Sequence, residues 1–468
     1  MSARLDAVAE RIGVRVGARD AIVVVDDVEH DSRRVGPGAL FCCVRGANAD
    51  GHDHAPAAVA AGAAALLVER PLELGVPEIV VPSVRHAMGP AAAVVHGDPS
   101  TSLAVVGVTG TNGKTTTVRL VTSILTAMGV RVREIGTLTG ARTTPEGPEL
   151  QRFFADARHG GADVVAMEVS SHALDQRRVD GTHFRVVGFT NLGVDHLDHH
   201  GTIDDYFAAK RRLFTDGFAE RAVIDTRGVW GRTLAEGLDL DVVTIDDAHL
   251  VGARTGPRSS SFEWRGLPVE LPLAGIFNIA NAIMAAEIVL GLGYKADEIA
   301  AALADAPTVP GRFETIDEGQ DFTVVVDYAH TPDGLEVVLQ AAREVTERSL
   351  VVVFGAGGDR DRSKRPQMGE VARRLADRVV VTSDNPRGEA PEAIIAGIVS
   401  GMERPPELVE VDRRTAIRHA LAGARKGDVV LIAGKGHEST QTVGDDVVEF
   451  DDRDVTRDEL RRLGGRRQ

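Results

Sequence analysis

Residues 103–128 read "LAVVGVTGTNGKTTTVRLVTSILTAM", and this stretch decides the fold class. The apolar run over residues 103–109 predicts a buried strand, and residues 114–128 predict a helix. Between them, Gly110 and Gly113 let the backbone approach an anion closely. A helix start also presents free N–H groups and the positive end of its dipole. Strand, glycine-rich loop and helix together predict a phosphate-binding loop at the end of a parallel strand.

The polar residues of this loop fit the same interpretation. Lys114 supplies a positive charge for terminal phosphates, and the hydroxyl of Thr115 or Thr116 can ligate Mg²⁺. The spacing departs from the plain G-x-x-x-x-G-K-[ST] pattern because position 108 is Val. The alternative is an ordinary glycine-rich turn. We favour the phosphate loop, although the loop alone does not say where the phosphate goes.

The bulk properties exclude several classes of protein. A chain of 468 residues is too long for one hydrophobic core, and a net charge of −16 speaks against broad nucleic-acid binding. The only two cysteines, Cys42 and Cys43, are adjacent and therefore poorly placed to bridge each other. No apolar run approaches the roughly 20 residues of a membrane helix. We expect a monomeric cytoplasmic protein with no membrane span.

Two proline-bearing breaks divide the chain. They lie in residues 96–102 ("HGDPSTS") and 306–314 ("APTVPGRFE"), and they predict domains over residues 1–98, 99–308 and 309–468. The later two domains alternate helical patterns with continuous Val/Ile/Leu runs, which is typical of parallel sheets covered on both faces. The predicted fold class is α/β, with a central P-loop parallel-sheet ATPase domain and a C-terminal Rossmann-like α/β domain.

Two polar segments of the middle domain follow predicted strands. In "MEVSSHALDQRR" (residues 167–178), Glu168 is a carboxylate suited to Mg²⁺, and Ser170, Gln176 and Arg178 are suited to a polar, anionic substrate. A helix cap followed by a solvated face explains this segment equally well. Residues 190–214 are rich in Asp and His but match no standard zinc spacing. Lys210 in that segment is, from the residues alone, a surface lysine on an amphipathic helix.

The last domain offers three polar loops, each after a predicted strand. They are "GAGGDRDRSKRP" with Arg360, "SDNPRGEAP" with Pro386 and Arg387, and "AGKGHES" with Glu438. The guanidinium of Arg387 offers a planar fork for a carboxylate, and Glu438 can hold an amine. One such loop is weak support, but three in one domain predict a recognition surface. Arg312, at the domain junction, is either a linker arginine or a contact to ATP phosphates on domain closure.

With these segments assembled, the chain closely resembles the Mur ligase family over nearly its whole length. "DSRRVGPGALF" and "GANADGHDHAPAAVAAGA" resemble the family's uridine-nucleotide domain, and "TGTNGKTT" resembles its ATP loop. "GIFNIANAIMAA" is similar to its adenine-side segment, and "PGRFE" with "DYAHTPDGLE" to its domain junction. "TTPE", "GGDRDRSKRPQMG", "DNPRGEAP" and "AGKGHE" are similar to the branch that adds a diamino acid.

The resemblance implies a role for each matching position. Catalysis would fall to Lys114, Glu168, His196 and Lys210. Mg²⁺ would be held by Thr115, Glu168, His196 and Lys210, the last as a carbamate. ATP would contact Gly110, Thr111, Asn112, Gly113, Lys114, Thr115, Thr116, Asn281, Arg312 and Asp327. The uridine-linked substrate would contact Ser32, Ala47, Asn48, Ala49, Thr143, Thr144, Ser170, Gln176 and Arg178. The incoming amino acid would contact Arg360, Asp384, Asn385, Pro386, Arg387, Gly434 and Glu438.

The implied reaction joins meso-diaminopimelate to UDP-MurNAc-L-Ala-D-Glu with ATP and Mg²⁺, through an acyl phosphate. The Asp-Asn-Pro-Arg form is similar to that of members that use diaminopimelate, whose second carboxylate Arg387 can pair with. The alternatives are the same ligase using L-lysine or another diamino acid, a sister ligase of the family, and a P-loop nucleotide-binding protein without ligase activity. A folylpolyglutamate synthase shares the ATP loop, but "DNPRGEAP" and "DSRRVGPGALF" argue against it.

Overall fold

The computed structural model describes residues 2–46, 49–140, 142–215 and 217–467. Three α/β units follow one another along the chain, each with its own main sheet. The three-domain α/β prediction is therefore confirmed, while the boundaries at residues 98 and 308 remain predictions. Among the helices of the described ranges, none is both long and apolar enough to cross a membrane.

The N-terminal unit has a parallel four-stranded sheet in the order β3-β4-β5-β6 and a short antiparallel pair, β1-β2. Its elements are β1 (Ala3–Arg4), α1 (Leu5–Arg11), β2 (Val24–Val25), β3 (Asp27–Glu29), β4 (Ala39–Cys42), α2 (Ala55–Ala60), β5 (Ala65–Val68), β6 (Glu78–Val80) and α3 (Val84–Val95). Cys42 and Cys43 are free and buried, and they belong to different apolar clusters. Their side chains therefore do face apart, as adjacent strand residues should.

The middle unit has a parallel six-stranded sheet in the order β12-β11-β10-β7-β9-β8 and an antiparallel sheet, β13-β14-β15. Its elements are β7 (Ala104–Thr109), α4 (Lys114–Ala127), β8 (Val132–Ile135), α5 (Gly147–His159), β9 (Val164–Glu168), α6 (Ser171–Asp175), β10 (Phe184–Phe189), α7 (Leu197–His200), α8 (Ile203–Arg211), β11 (Ala219–Asp225), α9 (Val229–Ala235), β12 (Asp241–Ile245), β13 (Arg254–Thr255), β14 (Ser260–Trp264), β15 (Leu267–Leu271), α10 (Ile276–Gly291) and α11 (Ala296–Ala304).

The central strand β7 shows why this sheet needs a continuous apolar run. Val106 and Val108 pack into one core with residues of α4 and α10, whereas Val105 packs into the opposite core with residues of α5. Both faces of the strand are therefore buried, as expected for a parallel sheet covered on both sides. The phosphate loop follows β7 directly, so it lies at the carboxyl edge of the sheet, where ligands of such folds bind.

The C-terminal unit has a six-stranded sheet in the order β16-β17-β21-β18-β19-β20, in which only β16 runs antiparallel. Its elements are β16 (Glu314–Ile316), β17 (Thr323–Asp327), α12 (Pro332–Glu344), β18 (Leu350–Phe354), α13 (Lys364–Leu375), β19 (Arg378–Thr382), α14 (Pro391–Val399), β20 (Leu408–Glu410), α15 (Arg413–Ala422), β21 (Val429–Ala433), β22 (Thr440–Val443), β23 (Asp446–Glu449) and α16 (Asp452–Arg467). The last strands, β22 and β23, form a separate hairpin.

Polar contacts join the three units. Arg152 of α5 bonds both Asp27 and Glu29 of the N-terminal sheet. At the other junction, the N–H of Val194 donates to Asp333 Oδ2 of α12 over 2.7 Å. The second contact joins the middle and C-terminal units where loops after the strands of both sheets line one cavity.

Candidate active site

The phosphate loop has the geometry that its glycines predict. Gly110 and Gly113 adopt φ values of 150° and 87°, and a Cβ at Gly110 would lie 1.9 Å from Thr190 Oγ1. Only glycine fits such a position. Lys114 Nζ donates to the carbonyls of Gly110 and Thr111, each over 2.8 Å. The ammonium therefore lies within the loop, where it can exchange these carbonyls for phosphate oxygens.

Glu168, at the end of β9, lies beside the first turn of α4. Its Oε2 accepts from Thr115 Oγ1 over 3.0 Å, and its Oε1 accepts from the N–H of Thr137 over 2.8 Å. Arg312, from the C-terminal side, also donates to Thr115 Oγ1 over 3.1 Å. Arg312 is thus aimed at the phosphate loop. This placement favours the ATP contact over the simple linker arginine as an explanation of that residue.

Lys210 occupies a different environment from the one its helical pattern suggested. It is only 1% exposed, it donates to Gly110 O over 2.8 Å, and its Nζ lies 4.6 Å from the centre of the Tyr206 ring. The surface-lysine interpretation is wrong, because α8 turns this residue inward beneath the phosphate loop. Burial, and next the charge of Lys114, hold the pKa of Lys210 well below its usual value. The structure thus favours an uncharged amine here.

His196 begins the short helix α7 with a left-handed backbone, φ 56°. Burial is the main cause that lowers its pKa to about 3; the Asp195 carboxylate opposes the shift, and His172 and Lys114 add to it. The shift favours the neutral imidazole, the form that can ligate a metal. Its ring lies 4.7 Å from that of His172.

An oxygen-rich Mg²⁺ site is compatible with these residues, and a self-contained metal centre is not. Within the ranges that the structure describes, no group of three or more His, Cys, Asp and Glu side chains is arranged to hold a metal ion alone. The Glu168 carboxylate and the Thr115 hydroxyl nevertheless meet beside the phosphate loop. Mg²⁺ commonly takes one or two such protein ligands and completes its shell with phosphate oxygens and water.

A small cavity of about 70 Å³ lies between α4, α10 and α12. Six of the residues predicted to bind ATP line it: Asn112, Gly113, Thr116, Asn281, Arg312 and Asp327. Its apolar walls are formed by Phe277, Val337 and Val338, none of which was predicted as a site residue. A partly apolar cavity beside a phosphate loop suits a nucleobase. Phe277 lies in the segment "GIFNIANAIMAA", whose resemblance to an adenine-side segment was the available signal. Val337 and Val338 gave no signal, because apolar residues are ordinary in a helix.

A larger cavity of about 500 Å³ lies between the middle and C-terminal units. Eleven predicted site residues line it: Thr143, Thr144, Ser170, Arg178, His196, Arg360, Asp384, Asn385, Arg387, Gly434 and Glu438. Residues that were not singled out also line it, among them Arg142, His172, Asp195, Tyr328, His330, Asp361 and Lys364. Several of these belong to the motifs "DYAHTPDGLE" and "GAGGDRDRSKRP" quoted above. Their position in those motifs was the signal that could have identified them as site residues.

The middle-domain wall of the central cavity is held by a network around Arg178. Its guanidinium donates to Thr144 O over 3.1 Å and to Gln176 Oε1 over 2.6 Å, and it pairs with Glu146. Thr144 Oγ1 in turn donates to Glu168 O and accepts from the N–H of Ser170. Gln176 does not line the cavity itself, and in this structure it orients Arg178.

The C-terminal wall combines acids and bases around a buried lysine. Asn385 Nδ2 donates to Glu438 Oε2 over 2.8 Å, and Lys435, fully buried, lies 3.6 Å from the same carboxylate. Asp384 Oδ1 is buried and accepts no hydrogen bond from the described residues; Lys435 Nζ is 3.9 Å away. Arg387 Nη1 donates to Gly358 O over 2.9 Å. An acceptor for an amine and a donor for a carboxylate thus face one cavity.

The remaining predicted residues lie elsewhere. Ser32 lies in the turn after β3 of the N-terminal unit and Ala49 is exposed there, and neither lines the central cavity. Ala47 and Asn48 lie outside the described residues. Pro386 lies behind the cavity lining, where a Cβ on Gly358 would meet its carbonyl at 1.8 Å. Its part is therefore to fix the backbone beside Arg387.

Each of the three units matches a domain of the Mur ligases when the chain is compared with known proteins. Three family descriptions match in chain order: "Mur ligase family, catalytic domain" over residues 24–97, "Mur ligase middle domain" over 108–289, and "Mur ligase, glutamate ligase domain" over 311–436. A UDP-N-acetylmuramoyl-L-alanyl-D-glutamate–2,6-diaminopimelate ligase of Geobacillus kaustophilus is 44% identical, covering 93% of this chain and 95% of that protein. Its counterpart from Streptomyces coelicolor is 40% identical, covering 98% and 96%.

Solved structures agree with the sequence relatives. A structure of a UDP-N-acetylmuramoyl-L-alanyl-D-glutamate–2,6-diaminopimelate ligase superposes with a TM-score of 0.71 at 31% identity, covering 99% of this chain and 100% of that one. A Mycobacterium tuberculosis folylpolyglutamate synthase shares the fold alone, with a TM-score of 0.57 at 22% identity over 81% and 94%. Matches to all three units in order, with identity of 40% or more along almost the whole length, show that the chain belongs to the Mur ligase family.

Proposed function

We propose that this chain is an ATP-dependent ligase that joins meso-diaminopimelate to the D-Glu γ-carboxylate of UDP-MurNAc-L-Ala-D-Glu in peptidoglycan synthesis. The observation that carries the proposal is the cavity of about 500 Å³ between the middle and C-terminal units. One wall presents Arg178 and Ser170, and the other presents Arg387, Asp384 and Glu438. The names of the relatives support the same substrates.

The reaction follows from which groups face the cavity. ATP bound on the phosphate loop would pass its γ-phosphoryl group to the substrate carboxylate, giving an acyl phosphate and ADP. The free amine of the amino acid would then attack that carbonyl, and the tetrahedral intermediate would collapse to an amide and phosphate. Such chemistry depends on alignment and charge neutralisation more than on a protein nucleophile. Lys114 and Arg312 lie where they would neutralise the phosphates.

Thr115, Glu168, His196 and a carbamate on Lys210 would hold Mg²⁺. When bound, the metal would supply positive charge to the phosphate oxygens and to the developing negative charge. The low pKa of Lys210 supports the carbamate, because only an uncharged amine adds to CO₂. The two buried free cysteines are consistent with a reducing cytoplasm, and we place the reaction there. We propose that the enzyme acts as a monomer.

The amino-acid specificity rests on Arg387 and its neighbours. Diaminopimelate has a second carboxylate that lysine lacks, and a guanidinium can bind it through two parallel hydrogen bonds. Asp384 Oδ1 and Glu438 would hold the ammonium groups. The uridine end would contact Ser32 and residues 47–49 of the N-terminal unit.

The test is phosphate release from ATP by purified protein with UDP-MurNAc-L-Ala-D-Glu and Mg²⁺. Diaminopimelate and lysine are added in parallel, and Arg387→Ala serves as the variant. We expect release that requires diaminopimelate and that is lost in the variant at a diaminopimelate concentration that just saturates the unaltered protein. Release with lysine would keep the ligase and refute the specificity argument. No release with either would point to a sister ligase or to a nucleotide-binding protein without ligase activity.

A further inference from the structure

The hairpin β22–β23 lies against the loop that carries Arg387, and the proposed reaction gives it no role. Residue Arg387 forms an isolated parallel β-bridge with Val443 of β22. The loop between β19 and α14 is therefore not free at the cavity edge. It forms an added edge of the small hairpin sheet.

Three hydrogen bonds fasten the loop backbone and Asn385 to the hairpin. The N–H of Arg387 donates to Thr442 O over 3.0 Å, and the N–H of Gly444 donates to Arg387 O over 2.7 Å. The N–H of Thr442 donates to Asn385 Oδ1 over 3.0 Å. Arg387 has φ 49°, a left-handed conformation that non-glycine residues adopt only when their surroundings hold them there. The hairpin supplies that restraint.

Gln441 is the side chain that ties the hairpin to the start of the loop. Its Nε2 donates to Asp384 O over 2.5 Å and to Ser383 Oγ over 3.1 Å. At the preceding residue of β22, Lys435 Nζ donates to Thr440 O over 2.6 Å. The amide of Gln441 does not line the cavity, so it acts on the ligand only through the residues that do.

We propose that Gln441 is a positioning residue for amino-acid specificity: by holding the backbone of residues 383–387 against the hairpin, it sets the direction in which Arg387 meets the second carboxylate of the incoming amino acid. This inference rests on the proposed function. Through Gln441, the hairpin would help the site to select an amino acid with two carboxylates, such as diaminopimelate, over one with a single carboxylate, such as lysine.

The test compares Gln441→Ala and Gln441→Glu with the unaltered protein. The Glu variant keeps the length of the side chain but cannot donate to Asp384 O. We expect both variants to raise the KM for diaminopimelate roughly tenfold, the worth of one hydrogen bond. The KM values for ATP and for UDP-MurNAc-L-Ala-D-Glu should not change. Gln340→Ala is the matched control, because Gln340 is an exposed glutamine of the same unit that bonds only Glu336 among the described contacts.

A double-mutant cycle separates positioning from general support. If Gln441 acts through Arg387, adding Gln441→Ala to Arg387→Ala raises the KM for diaminopimelate no further. Additive increases, an unchanged KM in Gln441→Glu, or equal losses for all three substrates with a lower Tm would each overturn the inference. Failure of the unaltered protein to release phosphate with diaminopimelate would instead refute the proposed function, so the two failures are distinguishable.

Discussion

Arg413 and Asp452 form a fully buried ion pair behind the loops of the C-terminal unit, and removing one partner should be costly. Both side chains are 0% exposed. Arg413 Nε and Nη2 donate to the two carboxylate oxygens over 2.8 and 2.7 Å. The same guanidinium donates to Ser383 O over 3.1 Å and to Ala433 O over 2.9 Å. It therefore joins α15 and α16 to the ends of β19 and β21, where two recognition loops begin.

The size of the effect follows from what Arg413→Met would leave behind. Methionine fills much of the volume of arginine but donates no hydrogen bond. It leaves the buried carboxylate of Asp452 and the carbonyls of Ser383 and Ala433 without this donor. Breaking a buried pair in this way costs about 3–5 kcal/mol. For a unit of roughly 150–250 residues, each kcal/mol lowers Tm by about 2–4 °C. We therefore expect the transition of the C-terminal unit to fall by about 10 °C.

The measurement is thermal unfolding followed by calorimetry, with three comparison variants. Arg461→Met removes an arginine whose pair with Glu318 is exposed, and it should give no resolvable shift. Asp452→Asn should destabilise about as much as Arg413→Met, because it leaves the guanidinium without its counter-charge. The double variant should lose less than the sum of the two. A shift in Arg413→Met no larger than that of Arg461→Met would refute the reasoning.

Two further changes test catalysis, and a third tests the dependence of stability on pH. Lys210→Arg should lower kcat for phosphate release at least 100-fold, because a guanidinium stays charged and does not form a carbamate; full activity in that variant would refute the carbamate. Glu168→Gln should raise the Mg²⁺ concentration for half-maximal activity about tenfold or more, and an unchanged requirement would exclude it as a ligand. Burial is the main cause that lowers the pKa of His437 to about 4 in the folded protein. Between pH 6.5 and 4 this residue therefore binds more protons in the unfolded chain than in the folded protein, so the free energy of unfolding falls as the pH falls. His437→Gln should flatten that part of the Tm–pH curve, and an unaltered slope would contradict the burial.

A site residue could be predicted from the sequence when the residues around it in space are also its neighbours in the chain. The phosphate loop was predictable because strand, glycines and helix are contiguous, and the structure places β7 and α4 within a residue of the predicted ends. Lys210 was not predictable from its own pattern. A nine-residue helix, α8, has too few turns to show which face is buried. The carbonyl of Gly110 that accepts from Lys210 Nζ lies 100 residues away in the sequence.

Arg312 shows the same limit at a domain junction. Its segment "PGRFE" fits a linker as well as a site, and only tertiary structure brings its guanidinium to Thr115, 197 residues earlier. Gln441 gave no signal either, because a glutamine in a short polar strand is ordinary surface composition. Its two acceptors become visible only once the hairpin is seen to pack on residues 383–387. Motif order identified the family, whereas these positioning contacts required the fold.

The net charge of −16 does not describe the charge of the cavity. The middle-domain wall carries Arg142 and Arg178 toward the place proposed for an anionic sugar nucleotide. The C-terminal wall carries Arg387 together with Asp384 and Glu438, as a zwitterionic amino acid requires. These particular groups are complementary in charge to the ligands proposed for the two walls. The charged groups that line a cavity decide which ligand it attracts. The net charge of the whole chain bears instead on solubility.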